Sequence, residues 1–119
     1  MLVLEKGRYR ARIAETLDDV AVAQTLRHVC FGLNHSNGLD QDAFDDLCEH
    51  ILVEDVETSD LVCCYRIMHL NSGDDITRSY SAQYYNLSAL QSYKGELVEM
   101  GRFCSDPKCN DPDVLRIEI

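Results

Sequence analysis

Apolar and polar residues alternate along residues 8–15, with Tyr9, Ala11 and Ile13 on one side and Arg8, Arg10 and Arg12 on the other. That two-residue period is the mark of a half-buried strand. The period then changes. Val22, Leu26, Val29 and Cys30 fall at i, i+4, i+7 and i+8, and Thr16 with Asp19 makes a capping-box-like start, so an amphipathic helix is predicted over 18–31 with that stripe packed on a sheet. Residues 32–40, rich in Gly, Asn and Ser, read as a loop, and residues 41–48 as a short helical turn. Two β-rich runs, 50–56 and 61–70, are separated only by Glu57-Thr58-Ser59-Asp60, which predicts an antiparallel hairpin. A polar loop follows at 71–78, residues 84–93 show no decisive period, and residues 96–104 supply a fourth strand. Asp111-Pro112-Asp113 has the cap, first-position proline and acidic first turn of a helix start. A helix stopping at Ile119 is too short to stand alone. The order β-α-β-β-β followed by this start therefore predicts the truncated front portion, residues 1–119, of a larger α/β domain of mixed α+β character.

Composition narrows the picture. A chain of 119 residues is the size of one modest domain. Asp and Glu number 21 against 11 Lys and Arg, a formal charge of -10, which disfavours binding to the nucleic-acid phosphate backbone. No apolar run is long enough to span a bilayer and the start at Met1 lacks a secretory layout, so the expected compartment is the cytoplasm. The six cysteines show no repeated C-x-x-C spacing. They read as small core residues, with neither a disulfide framework nor a metal site expected.

Three features carry candidate chemistry. Arg66 shares one strand face with Val62, Cys64 and Met68, and an arginine buried there requires a partner. The stretch ELVEMGRFCSDP sets Glu99 and Arg102 at an odd spacing, which in a regular pleat sends them to opposite faces. A bulge at Gly101 is the irregularity that could bring them together. Asp42, Asp45 and Asp46 read equally well as a binding cluster or as the solvated side of a turn, and Arg27 reads most simply as a surface ion pair. The four histidines are scattered and none is nominated as a base, while Tyr80, Tyr84 and Tyr85 read as packing ahead of the alternative, the wall of an acyl channel.

The series LRHVCF, DAFDDLCEHILV, CYRIM, YNLSAL and ELVEMGRFCSDP resembles, in its order, the N-terminal half of the ornithine-lipid-forming acyltransferases of the GNAT superfamily. The same skeleton is similar to that of the acyl-homoserine-lactone autoinducer synthases. The resemblance implies a GNAT-like three-layer fold and transfer of a 3-hydroxy fatty acyl group from acyl carrier protein, or from acyl-CoA, to the α-amino group of ornithine. No bound cofactor is implied. It makes Glu99 the candidate for orienting or deprotonating the amine, with Arg102 beside it as the second catalytic candidate. Asp42, Asp45 and Asp46 are implied to attract the cationic substrate. Arg27, Arg66 and Arg102 are implied to hold the acidic loop, Glu99 or the substrate carboxylate, while Phe31 and Phe103 line the acyl side. The implied partners are acyl carrier protein and an amine, with peripheral membrane contact and self-association through an open sheet edge also allowed. Docking an acidic carrier protein on this acidic chain calls for a local basic patch, for which Lys6, Arg8, Arg10, Arg102 and Lys108 are the candidates. A lactone synthase and a non-catalytic fragment remain the competing readings.

Overall fold

A computed structural model describes residues 3–109 and 111. Five strands, β1 (Val3–Lys6), β2 (Tyr9–Ile13), β3 (Glu49–Asp55), β4 (Leu61–Leu70) and β5 (Leu97–Ser105), form one antiparallel sheet in the order β1-β2-β3-β4-β5. One helix, α1 (Leu17–Cys30), lies between β2 and β3 in the chain. It packs on the face bearing Leu52, Cys64 and Cys104, where Ala23 is buried among them. Among the described residues the layers are therefore two, sheet and helix. The opposite face carries a second apolar cluster of Tyr9, Ala11, Val53, Val62 and Cys63.

The predicted elements appear close to their expected places, with one addition. β1 pairs with β2 through a tight turn, Lys6 opposite Tyr9, with Gly7 at φ 60°, a left-handed conformation that glycine adopts without steric cost. The expected turn within 41–48 is a single 3-10 turn, Asp45–Leu47. The polar loop after β4 winds into 3-10 turns at Gly73–Arg78, Ser81–Gln83 and Ser88–Leu90. The helix start expected at 111–113 lies outside the described residues apart from Asp111.

α1 begins as its sequence requires. Thr16 Oγ1 accepts the Asp19 N–H, and Asp19 in turn accepts the N–H of Glu15. Its rotation differs from expectation. Val22 and Val29 are 50% and 61% exposed, whereas Ala23, Gln24 and Arg27 are buried, and Leu26 and Cys30 sit at the edge of the core. The stripe counted as apolar thus faces the sheet only in part. Gln24 and Arg27 turn inward because carboxylates from the following loop meet them there, so polar side chains are buried with their hydrogen bonds made.

Candidate active site

The loop from Asp40 to Asp45 runs beneath the open end of α1 and delivers three carboxylates to three arginines. Arg27, 1% exposed, donates from Nε to Asp40 Oδ2 (2.9 Å), from Nη1 to Asp45 Oδ1 (2.8 Å) and from Nη2 to the Asp40 carbonyl (2.6 Å). Arg66 rises from β4 on the same side and gives Asp42 a bidentate pair (2.6 and 3.0 Å) and Asp45 a further bond (2.8 Å). Gln24 Nε2 also donates to Asp45, at 3.0 Å. His50 Nε2 lies 2.9 Å from the Asp45 carbonyl oxygen. Burial alone would raise the Asp45 carboxyl pKa, but the hydrogen bond and charge of Arg27, with help from Gln24 and Arg66, outweigh it and hold the group well below the usual carboxylate range. Asp42 is shifted the same way, burial again opposing and Arg66 prevailing. For Arg27 and Arg66 burial works against the charge, and the paired carboxylates more than compensate, raising both.

β5 supplies the irregular element. Arg66 pairs with Gly101 and Cys64 with Cys104, so β5 spends one more residue than β4 over this interval. The sequence reading expected a bulge at Gly101, and a bulge is there, but the left-handed residue is Arg102, at φ 50°. A non-glycine residue in this region carries strain of about 1–3 kcal/mol and persists only where its surroundings hold it. A Cβ built on Gly101 would meet Arg66 Nε at 4.0 Å, an ordinary van der Waals contact. The extra residue breaks the alternation, and Glu99 and Arg102 reach one cleft despite their odd spacing.

That cleft has a volume of about 390 Å³ and is walled by Phe31, Phe44, Met68, Tyr80 and Phe103, with Arg66, Glu99 and Arg102 among them. Each Glu99 carboxylate oxygen accepts a backbone N–H, Oε1 from Tyr80 (2.8 Å) and Oε2 from Ser81 (3.0 Å). Arg102 is held more loosely than the other two arginines, Nε 3.6 Å from Asp40 and Nη2 3.5 Å from Asp42. Its buried Nε has no hydrogen-bond partner. Aromatic faces flank it instead, Phe31 at 5.8 Å and Tyr80 at 5.5 Å from Cζ to ring centroid.

The nine residues singled out in the sequence therefore separate. Glu99, Arg102, Arg66, Phe31 and Phe103 line the cleft. Asp42 stands at its margin, bonded to Arg66 and near Arg102. Arg27, which reads as a surface ion pair or, by the resemblance, as a holder of the acidic loop, Glu99 or the substrate carboxylate, is buried and holds the loop through Asp40 and Asp45, outside the cleft lining. Asp45 is buried under two guanidinium groups. Asp46 is exposed and belongs to a separate groove with Ile13, Thr16 and Glu49. Asp40 and Phe44 complete the arrangement without having been marked as functional, and Tyr80, which reads first as packing, lines the cleft. Of the residues named for a basic patch, Arg8 and Lys108 line one groove, Arg8 is paired with Asp55 and Glu57, Arg10 is paired with Glu54, and Arg102 is drawn into the cleft.

The cysteines are all free thiols. Cys64 and Cys104 face each other across β4 and β5 with Sγ atoms 3.5 Å apart, and Cys30 Sγ donates to the Ser105 carbonyl. Burial pushes the Cys30 thiol up to about 12 and the Cys63 thiol up to about 11. Among the described residues no group of three or more His, Cys, Asp and Glu is placed to hold a metal ion, and no helix is long and apolar enough to cross a membrane.

Comparison with known sequences decides the family. Residues 24–117 match the Acetyltransferase (GNAT) domain. The chain belongs to the GNAT family. Within it, this GNAT chain is 27% identical over 113 residues to the L-ornithine N(alpha)-acyltransferase of Rhodobacter capsulatus, a match covering 83% of the chain and 44% of that relative. It is 28% identical over 118 residues to the protein of the same name from Brucella abortus, covering 86% of the chain and 42% of the relative. The resemblance seen in the motif series thus falls on proteins that carry the expected name. The GNAT chain spans less than half the length of either relative. No solved structure gives a comparable match.

Proposed function

We propose that this chain forms the acceptor side of an N-acyltransferase site, which moves a 3-hydroxy fatty acyl group from the thioester of acyl carrier protein to the α-amino group of ornithine. The observation that carries the reading is the bulge in β5, which brings the Glu99 carboxylate and the loosely held Arg102 guanidinium into one aromatic-lined cleft. The names of the two relatives support the choice of ornithine.

In this reading the ammonium group of the acceptor docks on Glu99, whose oxygens the Tyr80 and Ser81 N–H groups hold in place while leaving lone pairs for a further donor. Glu99 takes a proton, because only the neutral amine is nucleophilic. The amine nitrogen then attacks the thioester carbonyl carbon. A tetrahedral oxyanion forms, and its collapse breaks the carbon–sulfur bond as the adduct nitrogen gives its second proton to the departing thiolate, while Glu99 releases the first to solvent. Backbone donors of β5, whose outer side carries no further strand among the described residues, are suited to face that oxyanion. Arg102 takes the α-carboxylate, a group that guanidinium donors match in a planar, bidentate way. Phe31, Phe44, Met68 and Phe103 shield the acyl end from water.

The test is mass spectrometry of products from the protein supplied with 3-hydroxyacyl carrier protein and ornithine. The expected product is N-acyl-ornithine, and Glu99→Ala is expected to lower its rate about 10²–10⁴-fold, the usual contribution of a positioned base. Unchanged turnover in Glu99→Ala removes the role given to that carboxylate. A homoserine lactone, or no product with any amine, overturns the reading as a whole.

A further inference from the structure

Arg66 and Arg102 both border the cleft and both lie beside two aromatic rings, yet their carboxylate partners differ. Arg66 makes three close hydrogen bonds to Asp42 and Asp45 at 2.6–3.0 Å. Arg102 has only contacts of 3.5 and 3.6 Å to carboxylates, with the rings of Tyr80 and Phe31 5.5 and 5.8 Å from its Cζ. The difference has a chemical meaning. An aromatic face attracts a guanidinium through the ring quadrupole but offers no lone pair in the plane of the N–H groups. Such a clamp fixes the position of the cation and leaves its donor edge unspent.

Tyr80 is central to this clamp. Its ring centroid lies 5.4 Å from Arg66 Cζ and 5.5 Å from Arg102 Cζ, and the Phe44 ring braces it edge-on at 5.3 Å. Its backbone N–H is one of the two that hold Glu99. One residue thereby sets the distance between the carboxylate that meets an amine and the guanidinium that meets an acid. We propose that Tyr80 is a specificity-determining positioning residue: its ring holds Arg102 with its donor edge free for the carboxylate of the acceptor, so that the site selects α-amino acids over simple amines. The assignment rests on the acyltransferase reading for the identity of the reaction, though not for the binding it describes.

The test compares Tyr80→Phe and Tyr80→Leu, both of which keep the backbone N–H that Glu99 accepts. The acceptors are ornithine and the diamine that lacks its carboxylate. Tyr80→Leu is expected to raise the ratio of the ornithine KM to the diamine KM about tenfold, the scale of a partly desolvated cation–π contact. Tyr80→Phe, which keeps the ring, is expected to preserve that ratio. Equal losses on both acceptors, or a loss shared by Tyr80→Phe, overturn the proposal. Calorimetric titration with ornithine alone separates the two claims. Binding that weakens in Tyr80→Leu in a protein that acylates nothing supports the role of Tyr80 and overturns the acyltransferase reading. Full acylation with an unaltered ornithine KM in Tyr80→Leu overturns the role of Tyr80 alone, and a protein that neither binds nor acylates ornithine overturns both.

Discussion

Asp45 neutralises two guanidinium groups with a single carboxylate, and nearly all of it is out of water. Removing it leaves Arg27 leaning on Asp40 and Arg66 leaning on Asp42, each with a donor facing an empty space. Asp45→Ala is therefore expected to cost about 3–5 kcal/mol, as for other buried pairs broken on one side. A loss of that size is a large share of a domain stability of about 5–15 kcal/mol, and urea titration should show it as a marked fall in midpoint. Asp46→Ala is the matched control, expected within about 0.5 kcal/mol because its side chain is exposed and outside the network. Part of this cluster was legible in the chain itself. Arg66 sits at a core position on a strand face, which requires a partner, and the acidic run at 42–46 was the evident source. Asp40 and Gln24 were not legible. Each reads as ordinary loop or helix surface until the loop is seen folding back under Arg27.

At the level of elements, the segment joining β4 to β5 is a stack of 3-10 turns that carries Tyr80 to the cleft, and its fit depends on Gly73. A Cβ at that position would lie 1.8 Å from the Leu90 carbonyl oxygen and 2.9 Å from the Gln91 carbonyl carbon. Because both obstacles are backbone, no rotamer change relieves them. Gly73→Ala is expected to destabilise the protein by about 1–3 kcal/mol, the usual cost of overpacking, and to loosen the Tyr80 turn. Faster hydrogen exchange of the Tyr80 and Ser81 amides would report it. The same scale shows where pattern reading succeeds. The hairpin of β3 and β4 was clear from two β-rich runs and a polar turn, and the helix from its cap. β1 escaped because four residues hold too little alternation to count, although Gly7 beside a lysine and an arginine was a turn signal. The rotation of α1 escaped for a different reason. Periodicity assigns arginine and glutamine to the outside, whereas here their hydrogen bonds to loop carboxylates turn them in. The bulge in β5 was legible from charge spacing beside Gly101, but nothing in the sequence marked Arg102 as its left-handed residue, since glycine is the default for that conformation.

For the molecule as a whole, four carboxylates among the described residues have pKa values shifted below their ordinary range. Hydrogen bonds from Arg12 lead for Asp19 and a hydrogen bond from Arg8 leads for Asp55, while for Asp42 and Asp45 burial opposes and the arginines prevail. A depressed carboxylate adds stability that is fully present above its unfolded value of about 4 and is lost as pH falls through the folded value. The chain also carries a formal charge of -10 and a sequence pI near 4.6. Acidification toward that point relieves self-repulsion, and further acidification strips the ion pairs while charging the molecule positively. Thermal midpoints measured from neutral pH downward are expected to hold or rise slightly until about pH 4 and then drop steeply. A midpoint falling steadily from neutrality would mean that these four carboxylates do not govern acid stability.

Because the strands lie side by side in the order in which they occur in the chain, the sheet can grow in the direction of synthesis. Each strand that leaves a ribosome finds its neighbour already waiting, which keeps most pairing local and favours rapid assembly. The arginine–aspartate cluster follows a different schedule. Arg27 and the 40–45 loop emerge well before β4, so Asp45 meets its first cation early and its second only after Arg66 has been made. Arrival of β4 thus brings the second cation to the three carboxylates, and the third, Arg102, comes only with β5 and its bulge.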